Sequence, residues 1–508
     1  MKKQLLVSAA LVAGLLCFGC SSGATDSVTQ IQLSDTETTV NGAIISQDET
    51  QAVYTTARTE THADVSADLQ GISNTIIHIT QAGIYQISGE LEDGQLLVDA
   101  PEQDVTLILD NVSIACQTAP AILIKDANDP QQAGDAGVTI TLAESSVNQI
   151  YGSHLPKGAD ETDSDIKYDG AISSNVSLRI NGEGALQVNG DKEGIESKLH
   201  LTIDGGTIQA VSQDDALNAC EDGVSVITIN DGIINCAVQN GEEGDGIDSN
   251  GSIYINGGFI VAQAHSTSQD SGLDADLGIF INGGTVCATG NMYEEISEES
   301  AQQFVQFYFA TPQQGNAPLV ITDSDGNYVL AYTPVNQFSI LEFSSPDLKD
   351  GETYYLYSGG TLTGTVVNGI YTQVDSYTNG TQMAHRGTMT NQEQPNHADG
   401  QPPEDRKNDD DQRPADDGQR PEQPSDKDDT NTPPEPPADG EQPADVPEPP
   451  SDEESSTDAP QPPTDGLRPK DNPQRPGSSF DESAEQSIAF TISGDSHVFQ
   501  GVAPYTEG

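Results

Sequence analysis

From about Leu178 to Ala288 the chain alternates apolar and polar residues in short runs, and Gly with Asn or Asp ends nearly every run. That period of two, punctuated by turn residues, predicts short strands. The alternation itself recurs. The unit Ile-[Asn/Asp]-x-Gly stands at Ile203-Asp204-Gly205-Gly206, Ile229-Asn230-Asp231-Gly232, Ile255-Asn256-Gly257-Gly258 and Ile281-Asn282-Gly283-Gly284, 26 residues apart each time. A weaker copy, Ile180-Asn181-Gly182, lies 23 residues upstream of the first. A second phase runs through Gly194-Ile195-Glu196, Ala216-Leu217-Asn218, Gly246-Ile247-Asp248 and Gly272-Leu273-Asp274. A fixed period of this length, too short for a propeller blade and without a leucine-rich pattern, predicts the rungs of a parallel β-helix, a solenoid.

Strand patterns also precede the repeat, at Ile76-Ile79, Gly83-Gly89, Leu96-Val98, Val105-Asp110 and Val138-Leu142. The acidic stretch Tyr151 to Tyr168 interrupts them and reads as a loop. After Met292 the pattern changes: Glu294 to Gln306 reads as one short helix, followed by aromatic-rich strands such as Phe307-Tyr308-Phe309, Tyr328-Tyr332 and Tyr354-Tyr357. Asp323-Ser324-Asp325-Gly326-Asn327 has the opening of an EF-hand loop, but strand patterns flank it and no Glu follows at the twelfth position, so it reads as a hairpin turn. From about Asn391 to Ser483 Pro, Asp, Glu and Gln dominate with almost no large apolar residue, which predicts a disordered spacer. A final strand pattern begins at Ser487. The expected organisation is an all-β chain: a signal peptide (1–20), a tether (21–40), the β-helix (41–292), a C-terminal aromatic-rich β domain (293–385), the disordered Pro/acidic segment (386–484) and a terminal strand pairing with that domain (485–508).

The start, MKKQLLVSAALVAGLLCFGC, joins two lysines to an apolar run that ends in Gly19-Cys20. It has the form of a bacterial lipoprotein signal with Cys20 as the lipidated residue, although Cys17 stands where Leu is usual. The expected location is therefore extracellular, lipid-anchored to the membrane. Cys116, Cys220, Cys236 and Cys287 are scattered, with no CxxC or zinc spacing; Cys236 aligns with Ala210, Ala262 and Ala288 and reads as an inward core thiol. A net charge of −62, from 81 acids against 19 bases, makes nucleic acid and anionic lipid surfaces poor partners and suits a divalent cation or a ligand reached through one, or serves only to keep a secreted protein soluble.

The acids fall in register. Around the second phase, Glu196, Asn218, Asp248 and Asp274 form one column, and Glu193, Asp215, Asp245 and Ser271 another, with rungs about 4.8 Å apart. Carboxylates so close repel, and Ca²⁺ with its oxygen ligands relieves the repulsion. Asp191, Asp214 and Asp270 stand near the same turns as further ligands. Asp204, Asn230, Asn256 and Asn282 read instead as turn residues able to form an amide ladder. Arg179, Tyr151, Tyr168 and Tyr254 are the candidates for contact with substrate, in a chain that has no Trp.

The succession TLILDNVSIACQTAPAILIKDA, DAGVTITLAESSVNQI, DGAISSNVSLRINGEGALQV, QDDALNA, GDGIDS and LYSGG resembles a carbohydrate-binding-domain family of bacterial surface proteins that bind cellulose and pectin. The resemblance spans roughly residues 40 to 380 and the final strands. It implies a right-handed, pectate-lyase-like parallel β-helix that binds Ca²⁺ and polysaccharide without established catalysis, with Asp215, Asn218, Asp245 and Asp248 among the metal ligands. Glu196 and Ser271 depart from the repeated Asp. The expected function is polysaccharide binding by a surface lipoprotein. The alternatives are a calcium-dependent lyase or hydrolase, for which Arg179, Lys192 and Lys198 are the few bases in the repeat region, and a structural or adhesive rod.

Overall fold

The computed structural model describes residues 27–59, 73–156, 167–367, 370–389, 483–493 and 498–506, and every regular element among them is a strand. The short alternating runs pair in parallel with their counterparts one repeat away, which builds three ladders. One carries Val138–Leu142, Leu178–Gly182, His200–Ile203, Val226–Ile229, Ser252–Ile255 and Gly278–Ile281. The next carries Val147–Gly152, Ala185–Gly190, Thr207–Ser212, Ile233–Val238, Phe259–Gln263 and Thr285–Gly290. The third runs from Ser73–Ile79 through Gly94–Asp99, Ile122–Asp126, Gly170–Ser174, Glu193–Ser197, Leu217–Ala219 and Ile247–Ser249 to Leu273–Ala275.

Register follows from burial. Ile180, Ile203, Ile229, Ile255 and Ile281 stack as one fully buried column, and Ile195, Leu217, Ile247 and Leu273 as another. Slipping a strand by one residue would turn its apolar set outward. Each such side chain removed from water contributes roughly 1.5–3 kcal/mol, so a rung that cannot bury its apolar face alone is stable once stacked. Val188, Ala210, Cys236, Ala262 and Ala288 form a column of small residues. Cys236 is buried there, and burial pushes its thiol far above the ordinary value. All four described cysteines are free thiols.

The repeated glycine has a steric cause. Gly258 and Gly284 adopt φ of 85° and 82°, and a Cβ on either would come within 2.7 Å of the carbonyl oxygen one rung before. Two residues upstream, amide side chains link the rungs: Asn282 Nδ2 donates to Asn256 Oδ1 (3.0 Å), Asn256 to Asn230 (2.9 Å) and Asn230 to Asp204 (2.7 Å).

Antiparallel strands cover three of the parallel edges. Thr39–Val40 covers Thr29–Leu33, Val53–Thr59 covers Ser73–Ile79, and Phe338–Ser344 covers Thr285–Gly290. Beyond the coils the core becomes aromatic, with Phe307, Phe338, Phe343, Phe490 and Phe499 packed together. Phe490–Thr491 pairs with Thr353–Ser358, and Val498–Pro504 runs parallel to Phe304–Gln313. Asp323 accepts from the backbone N–H groups of Asp325 (2.9 Å) and Asn327 (2.8 Å), which closes a hairpin turn.

Two expectations are corrected. Residues 21–40 are not a tether throughout: Thr29–Leu33 is a strand parallel to Gly83–Leu91, because Ile31 and Leu33 enter the coil core. Glu294 to Gln306 is not a helix. Ile296 docks on Ile279, and the backbone N–H groups of Ser297 and Gln302 donate to Ile279 and Ile281, so the segment follows the last rung before the strand begins at Phe304. The signal segment with Cys20, most of the acidic loop between Tyr151 and Tyr168, and the Pro-rich segment lie outside the described residues.

Candidate metal centre

The third ladder carries the acids. Its register sets Glu196, Asn218, Asp248 and Asp274 on successive rungs, because each follows a buried Ile or Leu and so faces away from the core. Beside them run Glu193, Asp215, Asp245 and Ser271, at the turns that enter these strands. There the side chains bridge the rungs: Asp215 Oδ1 accepts from the Asp245 N–H (2.8 Å), and Asp245 Oδ1 from the Ser271 N–H (2.6 Å).

The columns meet at Asp245, Asp248 and Asp274. One carboxylate oxygen from each lies within 4.8 Å of the others; Asp245 and Asp274 are buried and Asp248 half-buried. One rung earlier, Asn218 Nδ2 donates to Glu193 Oε1 (3.1 Å) and Asp215 Oδ2 (3.3 Å). Glu193 Oε2 and Asn218 Oδ1 are buried without a hydrogen-bond partner. Leaving such an acceptor unsatisfied costs about 1–3 kcal/mol. Burial, with the charges of their neighbours, pushes Glu193, Asp215 and Asp245 well above the ordinary carboxylate range. The donors are all oxygen and most are anionic, and two orphaned oxygens sit among them. That set fits a hard cation such as Ca²⁺.

The other end is neutralised from within the chain. Glu196 Oε2 accepts from Ser173 Oγ (2.6 Å) and from the N–H groups of Asp169 (2.9 Å) and Gly170 (3.2 Å), and Oε1 pairs with Lys198 Nζ at 2.9 Å. Burial disfavours the Lys198 ammonium, but Glu196 outweighs it and holds its pKa above the ordinary value. Asp169 is bracketed by Lys192 (2.8 Å) and Lys167 (3.0 Å).

The remaining sequence candidates scatter. Asp191 is held by Ser153 and by His154, whose N–H lies 2.8 Å away, so it is turned from the columns. Asp270 Oδ2 accepts from the Gly244 N–H (2.8 Å) at the flank of the cluster. Burial, partly offset by Lys192, raises Asp214 above its ordinary value. Tyr168 is corrected: its ring is wholly buried and its hydroxyl accepts from Asn175 Nδ2 (3.3 Å), so no sugar reaches it. Arg179 pairs with Asp204 and donates to the Gly134 carbonyl. Tyr254 is half-buried and stacks on Phe280, centroids 4.7 Å apart and planes within 8°; Tyr151 is exposed. Sequence reasoning missed the role of Lys198, although Glu196 and Lys198 stand two apart in an extended run and so share one face.

A family model described as carbohydrate-binding domain-containing protein matches residues 73–310, which include the third ladder and both columns. A protein of Acetivibrio thermocellus with the same description is 28% identical over 208 residues, 41% of this chain and 64% of that protein. The chain thus spans just under two thirds of that relative's length. A solved polysaccharide lyase-like protein from C. thermocellum is 22% identical, covers 54% of this chain and 98% of its own, and superposes with a TM-score of 0.35.

Proposed function

We propose that the three ladders are the faces of a right-handed parallel β-helix whose carboxylate columns hold Ca²⁺, and that the chain is a cell-surface lipoprotein, anchored through Cys20, that binds polysaccharide without cleaving it. The observation that carries this reading is the convergence of Asp245, Asp248 and Asp274, with the orphaned oxygens of Glu193 and Asn218 one rung away. The match to a carbohydrate-binding family supplies the ligand class. Calcium, when bound, would supply the positive charge that lets an acidic protein hold an acidic sugar polymer. Asp245 and Asp274 would grip the ion from the buried side. Half-buried Asp248 marks the side on which a sugar carboxylate would complete the shell. On the outer side of the first ladder, Tyr254 and Phe280 present a stacked aromatic pair two residues along the strand from Asn256 and Asn282. That pairing of ring and amide suits a sugar.

Binding without cleavage is favoured by the bases. Arg179, Lys192 and Lys198 are all held in ion pairs with Asp204, Asp169 and Glu196, so none stands ready to abstract a proton. The test is retardation of the full chain in native gels cast with polygalacturonate, with Ca²⁺ or with chelator, for the wild type and Asp248→Asn. Calcium-dependent retardation, weakened at least tenfold by Asp248→Asn and without unsaturated products by ultraviolet absorbance, is expected. Retardation that chelator leaves unchanged would remove the metal from the reading, and new absorbance would make the protein a lyase.

A further inference from the structure

A cleft of about 360 Å³ opens where the turns after two coil strands, Val238–Asn240 and His265–Ser266, face Val335–Asn336 of the C-terminal region. Its size falls within the usual range of small-molecule sites. In a chain with 81 acidic residues, none of its lining residues is acidic. Gln239, Asn240 and Ser266 offer donors and acceptors, His265 adds its Nε2 while Ser268 holds its Nδ1, and Val335, 42% exposed, adds an apolar surface.

Bonds made by its own lining residues hold the cleft in shape. Asn336 Nδ2 donates to the carbonyls of Val238 and Ala264, both at 2.7 Å, and the Val335 N–H donates to Gln263 Oε1 at 2.8 Å. A wall fixed before the ligand arrives loses less ordering entropy on binding. We infer that this cleft is a second carbohydrate site, specific for a neutral sugar unit and independent of calcium. Amide, imidazole and hydroxyl groups match a ring of hydroxyls, the valine meets its C–H face, and no carboxylate calls for a bridging ion. A uronate would find no cation there. The wall at Val335 lies outside the segment that the carbohydrate-binding family model matches, so the site belongs to the junction with the C-terminal region.

The inference takes its ligand class, sugar, from the proposed function, and the experiment separates the two. Titration calorimetry on the full chain would use cellotetraose as the neutral probe and a galacturonate oligomer as the acidic one, each with Ca²⁺ and with chelator. The proteins are wild type, Ser266→Tyr, which fills the cleft from a surface turn, and Val335→Ala, which removes apolar contact only. Cellotetraose is expected to bind equally with and without Ca²⁺. Ser266→Tyr should weaken it at least tenfold and Val335→Ala about threefold, while galacturonate binding is unchanged in both variants. Cellotetraose binding that needs calcium, that survives Ser266→Tyr, or that is absent while galacturonate binds, overturns the cleft and leaves the proposed function standing. Cellotetraose binding lost in Ser266→Tyr, with no galacturonate binding under any condition, supports the cleft and overturns the calcium-bridged reading. Failure of both probes overturns both.

Discussion

The two ends of the paired carboxylate columns meet their charge differently. At Glu196 the chain brings its own ammonium, Lys198, to 2.9 Å and surrounds the second oxygen with three donors. At Asp245, Asp248 and Asp274 it crowds three carboxylates within 4.8 Å. The ladder and rung spacing are the same at both ends. The first arrangement is complete within the folded chain, whereas the second invites an ion from outside. A repeat can thus hold one backbone constant and vary the chemistry rung by rung.

The largest effect expected from breaking this contrast comes at the lysine end. Lys198→Met would strand the buried Glu196 charge and should cost about 3–5 kcal/mol, the usual penalty for breaking a buried pair. Thermal unfolding should show the same loss with Ca²⁺ as with chelator. If calcium restored the variant, the two ends would be chemically alike and the contrast would fail.

The pH response sharpens the other end. Glu193, Asp215 and Asp245 have folded-state pKa values raised above their ordinary 4.5, 3.8 and 3.8. Above those ordinary values the unfolded chain has released protons that the folded chain keeps. The folded state then binds more protons, so stability falls as pH rises, until the raised values are passed. In chelator, unfolding free energy should fall as pH rises above about 5, by up to about 1.4 kcal/mol per pH unit for each proton retained. Ca²⁺, held by the columns as proposed, would displace those protons and flatten the curve. A profile that is flat without calcium would mean that the column does not store charge as described.

The smallest change belongs to the amide ladder. Asn256→Ala removes two rung-to-rung hydrogen bonds and should cost about 1–2 kcal/mol by urea unfolding. Calcium affinity, read by terbium luminescence, should not move. A shift in affinity would show that the ladder and the carboxylate columns are coupled.

Much of this was legible in the sequence, because a 26-residue step and a two-residue alternation fix ladder register before any coordinate is known. Asp248 and Asp274 align by that count, whereas Asn218, displaced by four residues, aligns with Glu196 and Asp248 only through the motif of an apolar residue followed by a polar one, and the ladder pairs all four so. What stayed hidden depends on contacts distant in sequence. Thr29–Leu33 reads as tether because Ser, Thr and Asp surround it, and its partner, Gly83–Leu91, is distant in sequence. The run after Met292 reads as a helix because its Glu, Ser, Ala and Gln residues show no strand alternation, and the seat of Ile296 on Ile279 is tertiary. Tyr168 is wholly inside although charged Lys167 and Asp169 flank it, which composition cannot reveal.

The antiparallel strands at the ladder ends have a consequence for assembly. A stack of identical rungs has no inherent stopping point, and a bare last strand would template another molecule as readily as it templates its own next coil. By laying Phe338–Ser344 across Thr285–Gly290 in the opposite direction, and Thr39–Val40 across Thr29–Leu33, the chain interrupts the register in which a copy would add. The edges those strands cover are closed to a second copy of the chain, and removing Phe338–Ser344 would reopen the edge of Thr285–Gly290.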